Sequence, residues 1–356
     1  MSLPHTLSAQ DVQVWLRPGS PQLVSVAEKE ALLRRGVSYG TLLTPEAPPS
    51  DHQVAAYHAA LERNGERTGR LVAALTRQIL QSERPVAVSL ARAGTPVGCA
   101  LRRLARHWGR DLPHHTLSII RGEGIDRAAL AAVQQAHPGA DLFFVDGWTG
   151  KGSISITLSQ SLPSSVPPRL AVLSDPAGVA ELAATHDDLL LPHAALNATV
   201  CGLLSRTFVE DDAAGQAPAQ QGGGSPSSAL HAARVEEALR PLDQTAEYLD
   251  ALENLGLRAG PGTLPETVPR PSRPWETVLE RAAAAGVTNP HLVKPGVGEA
   301  TRVFLRREPA GLLLRSQTHP DTQHLLDMAQ QRGVPVHIIH DLPYLAAAWV
   351  SPGDRE

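Results

Sequence analysis

Four short, mainly apolar runs, at residues 85–90, 115–120, 142–145 and 170–173, each give way to a polar or glycine-bearing loop, and stretches with helical spacing separate them. This alternation restricts the fold more than any other feature of the chain. Short apolar strands buried on both faces and joined through helices form a parallel sheet with helices on either side. In such a sheet the loops that follow the strands gather along one edge. Ligands bind outside that edge, at the point where strand order reverses. The expected fold is α/β, with a parallel sheet and a second, smaller αβα domain.

Among these loops the one after residues 142–145 carries the most chemistry. Leu142-Phe-Phe-Val145 ends at Asp146, and Gly147-Trp-Thr-Gly-Lys-Gly-Ser153 leads into a helical candidate at 154–158. Glycines let backbone N–H groups approach an anion, and a helix N-terminus adds favourable partial charge. Thr149, Gly150, Lys151, Gly152 and Ser153 would offer amide, hydroxyl and ammonium donors, while Asp146 could accept from sugar hydroxyls. An ordinary strand-to-helix turn reads the same way. Because Lys151 is followed by Gly152 and not by Ser or Thr, the segment is not a Walker motif. A second anion loop is expected from Arg92, Ala93, Gly94, Thr95 and Gly98. Arg121, followed by Gly122-Glu-Gly124, would be a closing residue that stabilises a departing pyrophosphate, or else a surface arginine. Asp126 caps the next helix or, with Glu123, positions magnesium.

Usage of basic residues points to the same places. Among 32 Lys and Arg only Lys29, Lys151 and Lys294 are lysines, and the last two sit in glycine-flanked motifs. A compact ammonium and a guanidinium fork are not interchangeable near phosphate. The hydrophobic share is 42% and the net charge −4, as in a soluble globular protein. No apolar run approaches the roughly 20 residues of a membrane span, and no basic-then-apolar leader opens the chain. Cys99 and Cys201 make neither a disulfide framework nor a metal cluster, so a reducing cytoplasm is expected. Slight acidity argues against a protein that coats nucleic acid, while leaving room for a local basic patch.

Along the chain, residues 1–50 form a Pro-punctuated lead-in with a helical candidate at 26–35. Residues 51–80 predict two helices broken at Asn64-Gly65, and residues 99–108 and 127–136 one each. A flexible insertion poor in apolar residues covers 211–228, followed by a helix at 230–255 and a Pro/Gly-rich linker to 274. A compact module fills 275–356. Its Lys294 loop, with Gly296, Gly298, Arg302, Arg306 and Arg307, offers an RNA contact or simply a solvated face.

The motifs Ser89-Leu-Ala-Arg-Ala-Gly-Thr-Pro-Val-Gly98, Ser118-Ile-Ile-Arg-Gly-Glu-Gly-Ile-Asp126, Phe144-Val-Asp-Gly-Trp-Thr-Gly-Lys-Gly-Ser153 and Leu196-Asn-Ala-Thr-Val-Cys-Gly-Leu-Leu-Ser-Arg-Thr207 resemble the phosphoribosyltransferase-like family of bacterial tellurite-resistance and stress gene clusters. Its members are often labelled cysteine protease StiP. Lys294-Pro-Gly-Val-Gly-Glu-Ala-Thr-Arg302 and Arg332-Gly-Val-Pro-Val336 resemble its appended Pelota-type RNA-binding domain. The resemblance implies a phosphoribosyltransferase-type domain at 51–210 and a Pelota-like domain at 275–356. It implies binding of phosphoribosyl pyrophosphate, or a related ribose phosphate, with Mg2+ on the diphosphate, and chemistry at the anomeric carbon. In that scheme 146–153 is the ribose and 5′-phosphate loop, 92–98 the pyrophosphate loop, and 119–126 the flexible hood. Asp146 and Arg121 would be catalytic. The chain departs from the usual pattern in having Gly147 where a second acid is common, and in a short span before Thr149. A non-catalytic nucleotide-sensing, RNA-binding regulator and a cysteine hydrolase remain alternatives. For the hydrolase, Cys201 would need a base such as His186 or His193, and its other reading is a small buried hydrophobe. A homodimer is left open.

Overall fold

The structure, a computed structural model, describes residues 3–25, 28, 32, 35, 40–210 and 229–351. The helix expected at 26–35, apart from Glu28, Leu32 and Arg35, and the insertion expected at 211–228 fall outside them, as does Lys29. The main sheet holds β1 (Gln13–Trp15), β2 (Pro85–Ala91), β3 (His114–Ile120), β4 (Gly124–Ile125), β5 (Asp141–Trp148), β6 (Leu170–Ser174) and β7 (Leu182–Thr185). Its order is β1–β3–β2–β5–β6–β7, all parallel, and β4 folds back antiparallel on the end of β3. The chain moves from β2 to β3 on one side and returns to β5 on the other, so strand order reverses between β2 and β5.

Alternation along the strands explains the layers. Ala87, Phe143, Val145, Ala171 and Leu173 face one apolar cluster, while Val86, Val88, Leu90, Leu142, Phe144, Leu170 and Val172 face another. Successive side chains of a strand point to opposite faces, so both sides of this sheet must be covered. The second face is covered by α3 (Arg127–Ala136) and α4 (Ser153–Ser161). On the first face lie α1 (Asp51–Ile79), α2 (Gly94–His107) and α5 (Thr245–Ala259).

Three helical expectations need correction. Residues 51–80 form one helix, opened by a Ser50/Gln53 capping box. Asn64-Gly65 does not break it, because the asparagine side chain donates to the Leu190 carbonyl and to Asp321 while the glycine lies against Leu255 of α5. A Cβ at Gly69 would stand 2.5 Å from Leu255 Cβ. The glycines let two helices approach closely. The helix expected at 230–255 begins only at Thr245, after the 310 turn Glu237–Leu242 that contains Pro241. The helix expected at 99–108 begins five residues earlier, at Gly94. Sequence reading also missed β1, which draws the lead-in into the sheet beside β3.

A second sheet, ordered β8–β11–β9–β10, comprises β8 (Val293–Pro295), β9 (Pro309–Leu314), β10 (Val336–Ile338) and β11 (Ala346–Val350). With it pack α6 (Pro274–Ala284), α7 (Val297–Arg306) and α8 (Gln323–Arg332). Lys294 therefore sits on a strand. This module packs directly on the first: Phe304, Leu312, Leu325 and Ala346 share one buried cluster with Leu71, Phe143 and Leu190. Two carboxylates cross the junction in opposite directions. Asp188, after β7, accepts the backbone N–H groups of Val297 and Leu345, and Asp321, before α8, accepts from Arg63, Asn64 and the Leu190 N–H. Burial pushes the Asp188 carboxyl up to about 7. No described helix is long and apolar enough to cross a membrane.

Candidate functional site

The ends of β2, β3 and β5 place the expected loops together, yet the loops differ in what their residues do. After β2, Arg92 is buried and ion-paired with Glu46 at 2.5 Å, and its Nη1 donates to the Leu204 carbonyl. Gly94 and Thr95 open α2 with no exposed surface to offer: a Cβ at Gly94 would lie 2.1 Å from the Val145 carbonyl oxygen, and the Thr95 hydroxyl bonds to that of Thr116. A Cβ at Gly98 would stand 2.1 Å from His114 Nε2. Ala93 serves as the N-cap residue and makes no side-chain capping bond. In this structure the residues expected to cradle pyrophosphate hold a helix against a strand. Among them, only Ala93, at the start of α2, is half-buried rather than buried.

β5 runs on through Trp148, three residues beyond the expected run, so Asp146 and Gly147 belong to the strand. Asp146 Oδ1 accepts the Gly147 N–H at 2.8 Å. Its carboxyl keeps some accessible surface but is closely ringed by protein, and burial pushes it up to about 7, with the Gly147 N–H and Arg302 opposing and Glu299 adding to the rise. A Cβ at Gly147 would stand 2.9 Å from His193 Nε2, so a side chain there would have to displace the histidine. That histidine is buried and stacked near Trp148, bonds through Nδ1 to the Tyr248 hydroxyl, and is held neutral by burial, its pKa lowered to about 3.

Beyond the strand, Thr149 turns inward. Its hydroxyl donates to Asp175 at 2.7 Å and accepts the Ala177 N–H. Gly152 takes the left-handed conformation as N-cap of α4, and Ser153 is the first helical residue. Gly150 and Lys151 lie between the two modules. Tyr344 donates to the Gly150 carbonyl, and a Cβ at Gly150 would stand 3.2 Å from Glu299 Cγ and 3.4 Å from the Pro295 carbonyl oxygen. Lys151 Nζ stands over the Trp275 ring and 3.5 Å from the Pro290 carbonyl.

The residues expected to face RNA line this same junction. Lys294 Nζ donates to the His291 carbonyl at 2.7 Å. Gly298 packs on the Trp148 ring, and the Arg302 guanidinium lies 4.3 Å from that ring's centre while bonding Glu299. Gly296, at positive φ, precedes α7 and donates to the Ala346 carbonyl. Arg121 sits exposed on the β3–β4 turn, 3.5 Å from His291 Nδ1. Asp126 caps α3 through the Ala129 N–H. Glu299 and Trp148 were not assigned a role from sequence, and His193 was named only as a base for the hydrolase alternative. Distant segments bring Glu299 and His193 to the end of β5, where Trp148 is the last strand residue, and no local pattern marks those two.

Cys201 is 3% exposed in the main apolar cluster, at the end of the 310 turn Ala198–Val200. It lies in the electrostatic neighbourhood of Arg92 and Tyr248. A cleft of about 400 Å3 opens elsewhere, between α1 and α8, and is lined by His52, Arg63, His324 and Asp327. It contains none of the sheet-edge residues.

A family model described as tellurite-like stress resistance cysteine protease StiP matches residues 5–253, and the PELOTA RNA binding domain matches residues 272–352. The chain is 33% identical over 337 residues to the protein named "Cysteine protease StiP" of Acinetobacter baylyi, covering 90% of this chain and 87% of that one. No solved structure gives a significant match.

Proposed function

This chain belongs to the StiP family, described as tellurite-like stress resistance cysteine proteases, with a PELOTA RNA binding domain following, and from that premise we propose that it binds phosphoribosyl pyrophosphate or a related ribose phosphate at the β2/β5 edge and acts at the anomeric carbon. The observation that carries this reading is the position of Asp146 and the Thr149–Ser153 loop where strand order reverses, the place at which doubly wound sheets take ligands. The β5 loop supports a 5′-phosphate through the Gly150 and Lys151 amides, the Lys151 ammonium and the α4 N-terminus. Asp146, poised near neutrality, accepts from ribose hydroxyls. Pyrophosphate would leave towards the α2 N-terminus, while Arg121 closes over the phosphate that Lys151 holds. Departure breaks the C1′–O bond, the electron pair leaves with the diphosphate, and C1′ bonds instead to an acceptor nucleophile or to water, whose proton passes to solvent.

Among the described residues no group of three or more His, Cys, Asp or Glu could hold a metal ion. The oxygen donors of Asp146 and Glu299 suit Mg2+ that arrives with a diphosphate and keeps water and phosphate ligands. When bound, Mg2+ would neutralise diphosphate charge. Calorimetric titration of the full chain with phosphoribosyl pyrophosphate and Mg2+ tests the reading. Binding that weakens in Asp146→Asn is expected; no heat from folded protein would sink it.

A cysteine hydrolase is the second reading. The name of the relative favours it, as does the chain of neighbours from Cys201 through Tyr248 to His193. The thiol's burial requires that the site open before a peptide could reach it. Peptide cleavage abolished in Cys201→Ala would support this reading, and an unchanged rate would remove it. RNA contact by residues 272–352 is proposed on the domain match alone.

A further inference from the structure

Most of the buried or half-buried arginines in this protein have a carboxylate partner: Arg67 pairs with Asp187 and Glu266, Arg92 with Glu46, and Arg103 with Asp11, Asp250 and Glu253. Three cations at the module junction do not. Arg121, Lys151 and Lys294 form no ion pair with any described residue, and all three converge on the segment Pro290-His291. Arg121 reaches His291 Nδ1, Lys151 approaches the Pro290 carbonyl, and Lys294 donates to the His291 carbonyl. Each contact uses one donor and leaves others free. They come from three separate parts of the chain: the β3–β4 turn, the glycine loop after β5, and β8 of the second module.

Gathering like charges without a counter-ion costs energy unless an anion is drawn in. Burial lowers the pKa of Lys294 to about 8, with Lys151, Arg307 and Arg121 adding to the effect and Glu299 opposing it. Lys151 is shifted the same way by burial and by Arg121. On the other side of Gly150 lie Glu299 and Asp146, the first from α7 and the second from β5. The cations without an ion pair therefore collect at one end of this junction, while at the other the carboxylates of Asp146 and Glu299 share a single cation, Arg302. That polarity matches a phosphorylated sugar lying along it, phosphate towards the lysines and hydroxyls towards the acids.

We infer that the second module supplies half of the ligand site: Lys294 holds the same phosphate as Lys151 and Arg121, and Glu299 faces the same sugar as Asp146, so the ligand is a small phosphorylated sugar clasped between the modules. This rests on the ribose-phosphate reading above and adds that neither module binds the ligand alone.

The test is calorimetry on the full chain with three probes: phosphoribosyl pyrophosphate with Mg2+, inorganic pyrophosphate, and a short single-stranded RNA. Lys151→Gln and Lys294→Gln are each expected to weaken phosphoribosyl pyrophosphate about tenfold, the loss of one charge-assisted hydrogen bond. The double variant should lose less than the product of the two, because both lysines grip one phosphate. Glu299→Gln should weaken phosphoribosyl pyrophosphate and leave inorganic pyrophosphate unchanged. Circular dichroism and urea midpoints establish that each variant is folded. If phosphoribosyl pyrophosphate binds and Lys294→Gln leaves it untouched, the inference fails while the ribose-phosphate reading stands. Loss of RNA affinity alone in Lys294→Gln would likewise overturn it. Pyrophosphate that binds through both lysines, with the sugar adding nothing, would remove the ribose reading and keep the joint anion site. No binding of either phosphate probe removes both.

Discussion

The segments after β2 and after β5 look alike in sequence, each with glycines, a threonine and a basic residue at a strand end, and the structure uses them in opposite ways. After β2 the glycines are spent on the interior: the space a Cβ would need at Gly94 is occupied by the Val145 carbonyl, and at Gly98 by His114. Arg92 is closed off by Glu46. After β5, a Cβ at Gly150 would stand 3.2 Å from Glu299 Cγ, a tight contact with a side chain that can give way, and 3.4 Å from the Pro295 carbonyl, and Lys151 has no carboxylate partner among the described residues. A glycine marks close approach of something to the backbone. Whether that is a ligand or another part of the protein depends on neighbours far away in the chain.

The contrast is open to direct attack. Gly94→Ala is expected to have the largest effect, a destabilisation of more than about 4 kcal/mol or failure to fold, because the contact is with backbone that cannot yield; urea denaturation measures it. Gly150→Ala, in the matching loop, should cost less than about 1 kcal/mol and act on ligand affinity instead. Equal losses at the two sites would erase the distinction. Next in size, Arg92→Ala leaves Glu46 buried without its cation and should cost about 3 kcal/mol, whereas Lys151→Gln should shift the urea midpoint negligibly.

Acid should weaken both regions together. His114 beneath Gly98 and His193 beneath Gly147 have pKa values lowered to about 3 by burial, and His115 and His324 to about 4. Unfolded histidines take up protons below about 6.5 while these do not, so stability is full above that pH and declines towards pH 4. Asp146 and Asp188, raised to about 7 by burial, oppose this trend because the folded state holds their protons. Asp146→Asn should therefore steepen the acid loss, as read from urea midpoints between pH 7.5 and 5.

Much of the first sheet was legible because its signal is local. The runs at 85–90, 115–120, 142–145 and 170–173 all became strands, and α3 spans the expected 127–136 with Asp126 as its cap. Short elements whose partners lie far off were not. β1 has three residues and finds its place only beside β3, a hundred positions later. Asn64-Gly65 carries a turn signature that tertiary contacts with Leu255 and Asp321 override. In the site, Asp146 and Lys151 could be named from their loop. Glu299 could not, because nothing near it in sequence says that Gly150 will lie against it.

The paired carboxylates Asp188 and Asp321 have a thermodynamic consequence. Each reaches from one module into the backbone or side chains of the other, across a continuous apolar cluster. Neither sheet can melt without stranding a buried acid in the half that remains. The described chain should then unfold as one cooperative unit, with calorimetric and van't Hoff enthalpies in agreement, where two domains strung on a linker would give two transitions.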